Sequence, residues 1–325
     1  MIRARITGTG SYAPERVMPN TELEQLVATS DQWIRERTGI SERRIAAEGQ
    51  ACSDLGIIAA ERALKAAGVS AGELDMILMA TCTPDMPLPS TACLLQHRLG
   101  ATRAAACDIS AACCGFVYAL GIADAYIRTG MRHVLVVGSE VMSAITDWTD
   151  RNTCILFGDG AGAAVVSAFE GDRGILSTHL HSDGSLSDLI VLPGGGSRIS
   201  PSEEMLSERT QYIKMKGNET FKVAVRTLEE AARETLAAHH MEIANLDLYI
   251  PHQANLRIIK AVAERLGLPL EKVVLNMDRY GNTSAASIPL ALDEAVREGR
   301  LREGQVVMLG AFGAGLTWAS ALLRW

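Results

Sequence analysis

The chain has 325 residues, 48% of them hydrophobic and 21% charged, with a formal net charge of −7. That profile fits a soluble globular protein long enough for two domains, or for two halves around one large core. An acidic balance argues against a nucleic-acid binder, and aromatics at only 5% point to tightly packed α/β layers.

The start, "MIRARITGTG", lacks the apolar stretch of a signal peptide. "GTGSYA" (8–13) superficially fits a dinucleotide loop. Pro14 follows it, however, and the next helix signal is Asn20 or Thr21 with a Thr21-x-x-Glu24 capping box, so that reading is rejected. An alanine-rich helix is expected over 53–67, then a buried strand at "LDMILMA" (74–80). "TPDMPLPSTACLL" (83–95) carries three prolines in a stiff loop, and Ser90 or Thr91 can cap the following helix, which ends at "RLG" (98–100). "DISAACCGF" (108–116) crowds small residues and two cysteines before a helix expected from about Ala112 to a stop at Gly130. The nearly apolar run 109–123 lies between Asp108 and Asp124 and is too short to cross a membrane. A second buried strand is "HVLVVGS" (133–139), and "FGDGAGAAVV" (157–166) lacks the Lys of a Walker loop.

Beyond a boundary near 169–174 the pattern returns. A surface loop with a glycine run (193–208) is followed by a helix (218–238), the strand "LDLYIPH" (246–252) and a helix ending in "RLG" (265–267). Another small-residue helix start, "GNTSAAS" (281–287), precedes the strand "VVMLGAF" (306–312). Asp75 and Asp247, like Gly138 and Gly310, are 172 residues apart. We read an internal duplication, with one half over 1–170 and the other over 171–325.

Seven cysteines, all in the first half and without zinc spacing, indicate reduced thiols and a cytoplasmic protein with no metal. A vicinal Cys113–Cys114 disulfide is discounted as strained. Cys113 and Cys114 are expected in the first turn of a buried helix, where free N–H groups and the helix dipole favour thiolate. A buried cysteine is also an ordinary small hydrophobe. His252 ends an apolar strand, the edge at which α/β proteins place ligands, although a lone histidine there is more often a structural hydrogen-bonder than a catalyst. Asn282 fits a turn or cap role. The duplication makes the starts of the Cys113 and Asn282 helices near-equivalents, so that three polar groups end core elements at related places and can converge on one pocket.

Together, "TSDQWIRERTGISERRIA" (29–46), "AACCGF" (111–116), "DRNTCILFGDGAGAAVV" (150–166), "PHQANLRI" (251–258), "GNTSAAS" (281–287) and "FGAGLTW" (312–318) resemble the β-ketoacyl-acyl-carrier-protein synthase III family of the thiolase superfamily over nearly the whole chain. The resemblance implies a duplicated five-layer αβαβα fold, a homodimer and no metal or redox cofactor. It implies that Cys113 is the nucleophile, since it precedes a small residue and then Gly-Phe, with Cys114 in a position more usually Ala, Ser or Thr. It implies loading from an acyl-CoA primer, acetyl-CoA in the first instance, an oxyanion hole from the N–H groups of Cys113 and Ala314, and malonyl-carrier-protein decarboxylation aided by His252 and Asn282. Trp33, Arg37 and Arg151 are implied around the adenine and phosphates of CoA, with Asn255 near its pantetheine. Leu88, where many acetyl-using members carry an aromatic residue, is implied to close the partner subunit's acyl pocket.

The carrier protein is generally acidic, so docking calls for a local basic patch. Lys214, Lys216, Lys222, Arg226, Arg257 and Lys260 are the candidates, against the plainer reading of a solvated helix face. A condensing enzyme of secondary metabolism with another acyl- or aroyl-CoA primer is the alternative. A papain-like hydrolase would lack the duplicated core, and a non-catalytic relative would not need Cys113, His252 and Asn282 together.

Overall fold

The computed structural model describes residues 2–325. The first sheet runs, in spatial order, Ile2–Tyr12, Gly160–Glu170, His133–Glu140, Met76–Ala80 and Ala105–Ile109. The second runs Gly174–Ser182, Thr317–Arg324, Val306–Gly313 and Leu248–Pro251, and Val273 extends it by a parallel bridge to Tyr249. Each step has the same sense in both sheets: two antiparallel pairings, then parallel ones. The repeat extends to details. Asp75 Oδ2 accepts the N–H groups of Arg132 and His133, and Asp247 Oδ2 accepts that of Val306.

Why five layers form follows from what each surface must cover. The helices Gly115–Arg128 and Ser287–Arg297 lie between the sheets, where Phe116, Leu120 and Leu292 pack with Leu78 and Val136 of one sheet and Ile250 and Leu309 of the other. The helices Cys52–Ala67 and Thr91–Leu99 cover the outer face of the first sheet. Gly217–Ala237 and Leu256–Leu266 cover that of the second. Burial of apolar surface on both sides of each sheet, worth about 25 cal/mol per Å2, is what holds the layers together. The rejected dinucleotide loop is strand: a Cβ on Gly8 or Gly10 would run into the backbone of Ala67, Ala63 or Ala59, so these glycines let a helix approach closely.

Several local expectations are corrected. The helix after the cysteines begins at Gly115, and Ala112–Cys114 form a separate 3-10 turn. Asn20–Leu23 is a single helical turn entered from Pro19, so Thr21 does not act as a cap and no capping box forms there. Ser90 does cap, accepting the N–H of Cys93 at 3.4 Å. Both "RLG" helices end at a left-handed glycine, Gly100 at φ 69° and Gly267 at φ 67°. All seven cysteines are free thiols, and no helix among the described residues is long and apolar enough to cross a membrane.

Candidate active site

A cavity of about 810 Å3 is lined by Cys113, His252, Asn282, Phe312 and Ala314 at depth and by Trp33, Arg37 and Asn255 among others. The reactive face of Cys113 depends on a turn. Ala112 adopts φ 45° and Cys113 follows it immediately before the central helix. The Cys113 thiol donates to Ser284 Oγ at 3.4 Å. Burial pushes it up to about 12, against a smaller opposing effect of the Ser284 bond. Cys113 lies in the 3-10 turn that leads into the central helix, not in the helix's own first turn. Cys114 faces the core instead: it is fully buried and its thiol donates to the Thr317 carbonyl at 3.3 Å.

His252 follows the strand Leu248–Pro251 and is anchored by its own N–H to the Gly310 carbonyl at 2.7 Å. Its Nδ1 lies 2.6 Å from Ser287 Oγ. That hydroxyl also accepts the Gln253 N–H at 3.3 Å; in the tautomer in which it donates its own proton to Nδ1, the ring carries hydrogen on Nε2. Burial lowers the ring to about 3, which keeps it neutral at physiological pH. The Asn282 amide is oriented in the same way. Its Oδ1 accepts the Ser284 N–H at 2.9 Å, leaving the NH2 as the group available to the cavity. The run "GNTSAAS" thus holds all three candidates: Asn282 itself, Ser284 on Cys113 and Ser287 on His252.

The hairpin between Val306–Gly313 and Thr317–Arg324 brings Ala314 to the cavity. A Cβ on Gly313 would sit 2.8 Å from the Cys113 nitrogen, so only glycine lets this hairpin lie against the nucleophile. At the mouth, the Arg151 guanidinium stacks 3.9 Å from the centre of the Trp33 ring, and that of Arg37 lies 5.5 Å from it. Arg151 does not line the cavity, whereas its neighbour Asn152 does. The Asn255 side chain is committed to structure, capping Leu256–Leu266 through Arg257 N–H and donating to the Arg37 carbonyl at 3.1 Å.

The basic patch is smaller than the sequence suggested. Lys216 pairs with Asp188 at 2.5 Å and Lys214 lies 3.7 Å from Asp147, so acidic neighbours offset both. Arg226 and Lys260 are exposed, while Lys222 and Arg257 are exposed at the cavity rim. Leu88 is 85% exposed and does not line the cavity of its own chain. Residues that sequence reasoning did not single out are Ser284, Ser287, Cys82 on the cavity wall, and the fully buried Glu140. Polar side chains inside an otherwise small or apolar run were the available signal.

A duplicated five-layer core with a thiol, a neutral histidine and an oriented amide in one cavity defines a condensing acyltransferase of the thiolase fold. The comparisons make the assignment specific. Residues 107–184 match the family model described as 3-oxoacyl-[acyl-carrier-protein] synthase III, and residues 236–325 match its C-terminal counterpart. The chain is 55% identical, over 100% of both lengths, to the beta-ketoacyl-[acyl-carrier-protein] synthase III of Alkalilimnicola ehrlichii. The crystal structure of the synthase III from Aquifex aeolicus superposes with a TM-score of 0.92 at 49% identity, covering 99% of this chain and 100% of that one. The priming β-ketosynthase of the R1128 polyketide pathway gives 0.91 at 38% identity, covering 99% and 96%. The chain belongs to the 3-oxoacyl-[acyl-carrier-protein] synthase III family.

Proposed function

We propose that the protein condenses an acyl-CoA primer, acetyl-CoA in the first instance, with malonyl-acyl carrier protein to give 3-ketoacyl-acyl carrier protein, the opening step of fatty acid synthesis. Identity to the synthase III relatives, 55% and 49%, exceeds the 38% to the polyketide priming enzyme, so the secondary-metabolic reading is the weaker one. The observation that carries the chemistry is one cavity holding Cys113 beside two neutral hydrogen-bond donors.

In the first stage Cys113 attacks the primer thioester and keeps the acyl group. The N–H groups of Cys113 and Ala314 hold the oxyanion. In the second, malonyl-carrier protein loses CO2, and charge builds on the thioester oxygen as the enolate forms. His252 Nε2–H and the Asn282 NH2 are the donors for that charge; each group of this type contributes about 3 kcal/mol in a dry site. A neutral histidine suits the task, since its hydrogen bond serves the developing anion without first pairing with the malonyl carboxylate. The enolate carbon then attacks the acyl-cysteine. These steps call on no metal or redox group.

Trp33, Arg37 and Arg151 are proposed to receive the adenine and phosphates of CoA, and Asn255 to act by holding the Arg37 backbone beside the pantetheine path. Arg226, Lys260, Lys222 and Arg257 form the proposed carrier-protein surface. The protein is proposed to work in the cytoplasm as a homodimer, in which exposed Leu88 reaches the partner's acyl pocket. Incubation with acetyl-CoA and peptide mass spectrometry tests the core of this reading. The acetyl group is expected on Cys113, retained in Cys114→Ala and absent in Cys113→Ala; the reverse pattern defeats it.

A further inference from the structure

The stretch "TSDQWIRERTGISERRIA" supplies Trp33 and Arg37 to the proposed CoA site, and it also carries a cation for which the mechanism above has no use. Among the described residues, Arg43 of the strand Glu42–Ile45 is the bulkiest side chain with no exposed surface. Its guanidinium donates to carbonyl and amide oxygens and to no carboxylate. Nη1 donates to Asn20 Oδ1 at 2.8 Å and to the Met18 carbonyl at 3.3 Å, and Nη2 donates to the Ile155 carbonyl at 3.0 Å. Nε is buried without a partner. A guanidinium keeps its charge when buried, and a charge without a counter-ion is costly in an apolar core. An apolar side chain would fill the same space without that cost, so the contacts of the fork have to offset it.

Those contacts lead to Asn282. Ile155 opens the segment 155–158, in which Phe157 forms a parallel bridge with Asn282. The Asn282 N–H donates to the Leu156 carbonyl at 2.8 Å, and the Asn282 carbonyl accepts the Gly158 N–H at 3.1 Å. Both backbone hydrogen bonds thus go to the segment that Arg43 holds at its first carbonyl. The stem of Arg43 packs under the same junction: a Cβ on Gly158 would sit 2.9 Å from the Arg43 Cβ, and one on Gly281 would sit 3.3 Å from it. The chain around Arg43 is tied to both sides as well. Ser41 N–H donates to the Asp278 carbonyl at 3.0 Å, and Asp159 N–H donates to the Arg44 carbonyl at 2.8 Å. Cys113 is placed by other elements, the helix Gly115–Arg128 that follows it and the hairpin at Gly313.

We infer that Arg43 is a positioning residue for the second stage: by holding the segment 155–158 it fixes the backbone of Asn282, and with it the NH2 group that meets the enolate oxygen. The inference rests on the proposed role of Asn282. A donor displaced by about 1 Å can lose on the order of a hundredfold in rate. Loading of Cys113 uses different N–H groups and does not depend on this contact.

The two stages are measured separately on the full chain. Acetyl transfer from acetyl-CoA to Cys113 is followed by quenched flow and intact mass, and the second stage by CO2 release from malonyl-carrier protein on the acetylated protein. Arg43→Met keeps much of the stem and removes the fork. It should load acetyl within about threefold of the parent, while kcat for CO2 release falls at least about tenfold and KM moves less than about twofold. Asn282→Ala alone should slow CO2 release about a hundredfold. Adding Arg43→Met to it should cost less than about twofold more, because the donor that Arg43 places is already gone. A purely structural role would slow both stages together or multiply with the loss in Asn282→Ala. Equal loss in both stages, parental CO2 release in Arg43→Met, or multiplied losses in the double variant overturn the inference and leave Asn282 as a donor. Parental CO2 release in Asn282→Ala overturns the role of Asn282 and this inference with it. If circular dichroism shows Arg43→Met unfolded, Arg43→Lys decides, since it keeps the cation but puts one nitrogen where the fork has two. Its CO2 release should fall at least about threefold with loading at the parental rate. Rates that are unchanged, or lowered evenly in both stages, overturn the inference.

Discussion

Acidification to pH 5 puts the buried, neutral His252 to a quantitative test. A histidine of ordinary pKa is about 97% protonated there, whereas a ring held near 3 remains about 99% neutral. Decarboxylation of malonyl-carrier protein by the acetylated enzyme should therefore show no inflection, upward or downward, with a midpoint near pH 6.5. The folding equilibrium must register the same fact with a definite sign. The unfolded chain takes up a proton as pH falls below 6.5, and the folded chain takes it only near 3, so stability is lost progressively between those limits. At pH 5 the loss from this one group is about 2 kcal/mol, approaching about 5 kcal/mol below pH 3. His252→Gln lacks that contribution. Its stability relative to the parent, measured by urea unfolding, should shift in the variant's favour by about 2 kcal/mol between pH 7.5 and pH 5. A decarboxylation inflection near pH 6.5, together with a pH-independent stability gap, would refute the argument.

Two further outcomes concern the walls of the site. Gly313→Ala places a methyl group 3.1 Å from the Cys113 Cβ and closer still to its nitrogen, so either the hairpin or the nucleophile must give way. Acyl loading should fall about tenfold to a hundredfold with secondary structure by circular dichroism unchanged, and parental loading would show that this contact does not position the thiol. Leu88→Phe should narrow the primer range toward acetyl, and Leu88→Ala should extend it by a few methylenes, each worth about 0.8 kcal/mol when buried. Intact-mass profiling over acyl-CoAs of rising length checks this, and identical profiles in both variants would remove Leu88 from the pocket.

The fold was legible because duplication leaves a doubled pattern of apolar strands, left-handed helix ends and small-residue turns. "LDMILMA" and "LDLYIPH" carry the same aspartate because each must bind the start of a neighbouring strand. The antiparallel outer strands were less legible: Ile2–Tyr12 and Gly174–Ser182 include polar residues and glycines without strict alternation. The site was legible in its end groups and not in their supports. Cys113, His252 and Asn282 stand at the ends of core elements, where sequence periodicity breaks. Ser284 and Ser287 read as packing residues until the turn brings one to Cys113 and the other to His252. Nor does sequence spacing report the desolvation that raises the Cys113 thiol.

The crowding of small residues around Cys113 has a packing cause that also makes the chemistry possible. The two small-residue turns, Ala112–Cys114 and Ser284–Ala286, are repeat equivalents that meet where the halves join. A Cβ on Gly115 would lie 2.9 Å from that of Ala80 and 3.6 Å from that of Ala285, and one on Gly138 would strike the Ala285 carbonyl. Larger side chains at these positions would hold the turns apart, and Ser284 could not stand 3.4 Å from Cys113. Close packing thus sets the distance, and divergence between the halves sets the chemistry. Where the first half presents Cys113, the second presents Ala285 at the equivalent position, flanked by Asn282, Ser284 and Ser287. A strictly symmetric duplicate would face thiol against thiol and leave no donor for the enolate. The asymmetry of two otherwise matching turns is what lets one cavity hold both a nucleophile and the groups that stabilise the charge it will meet.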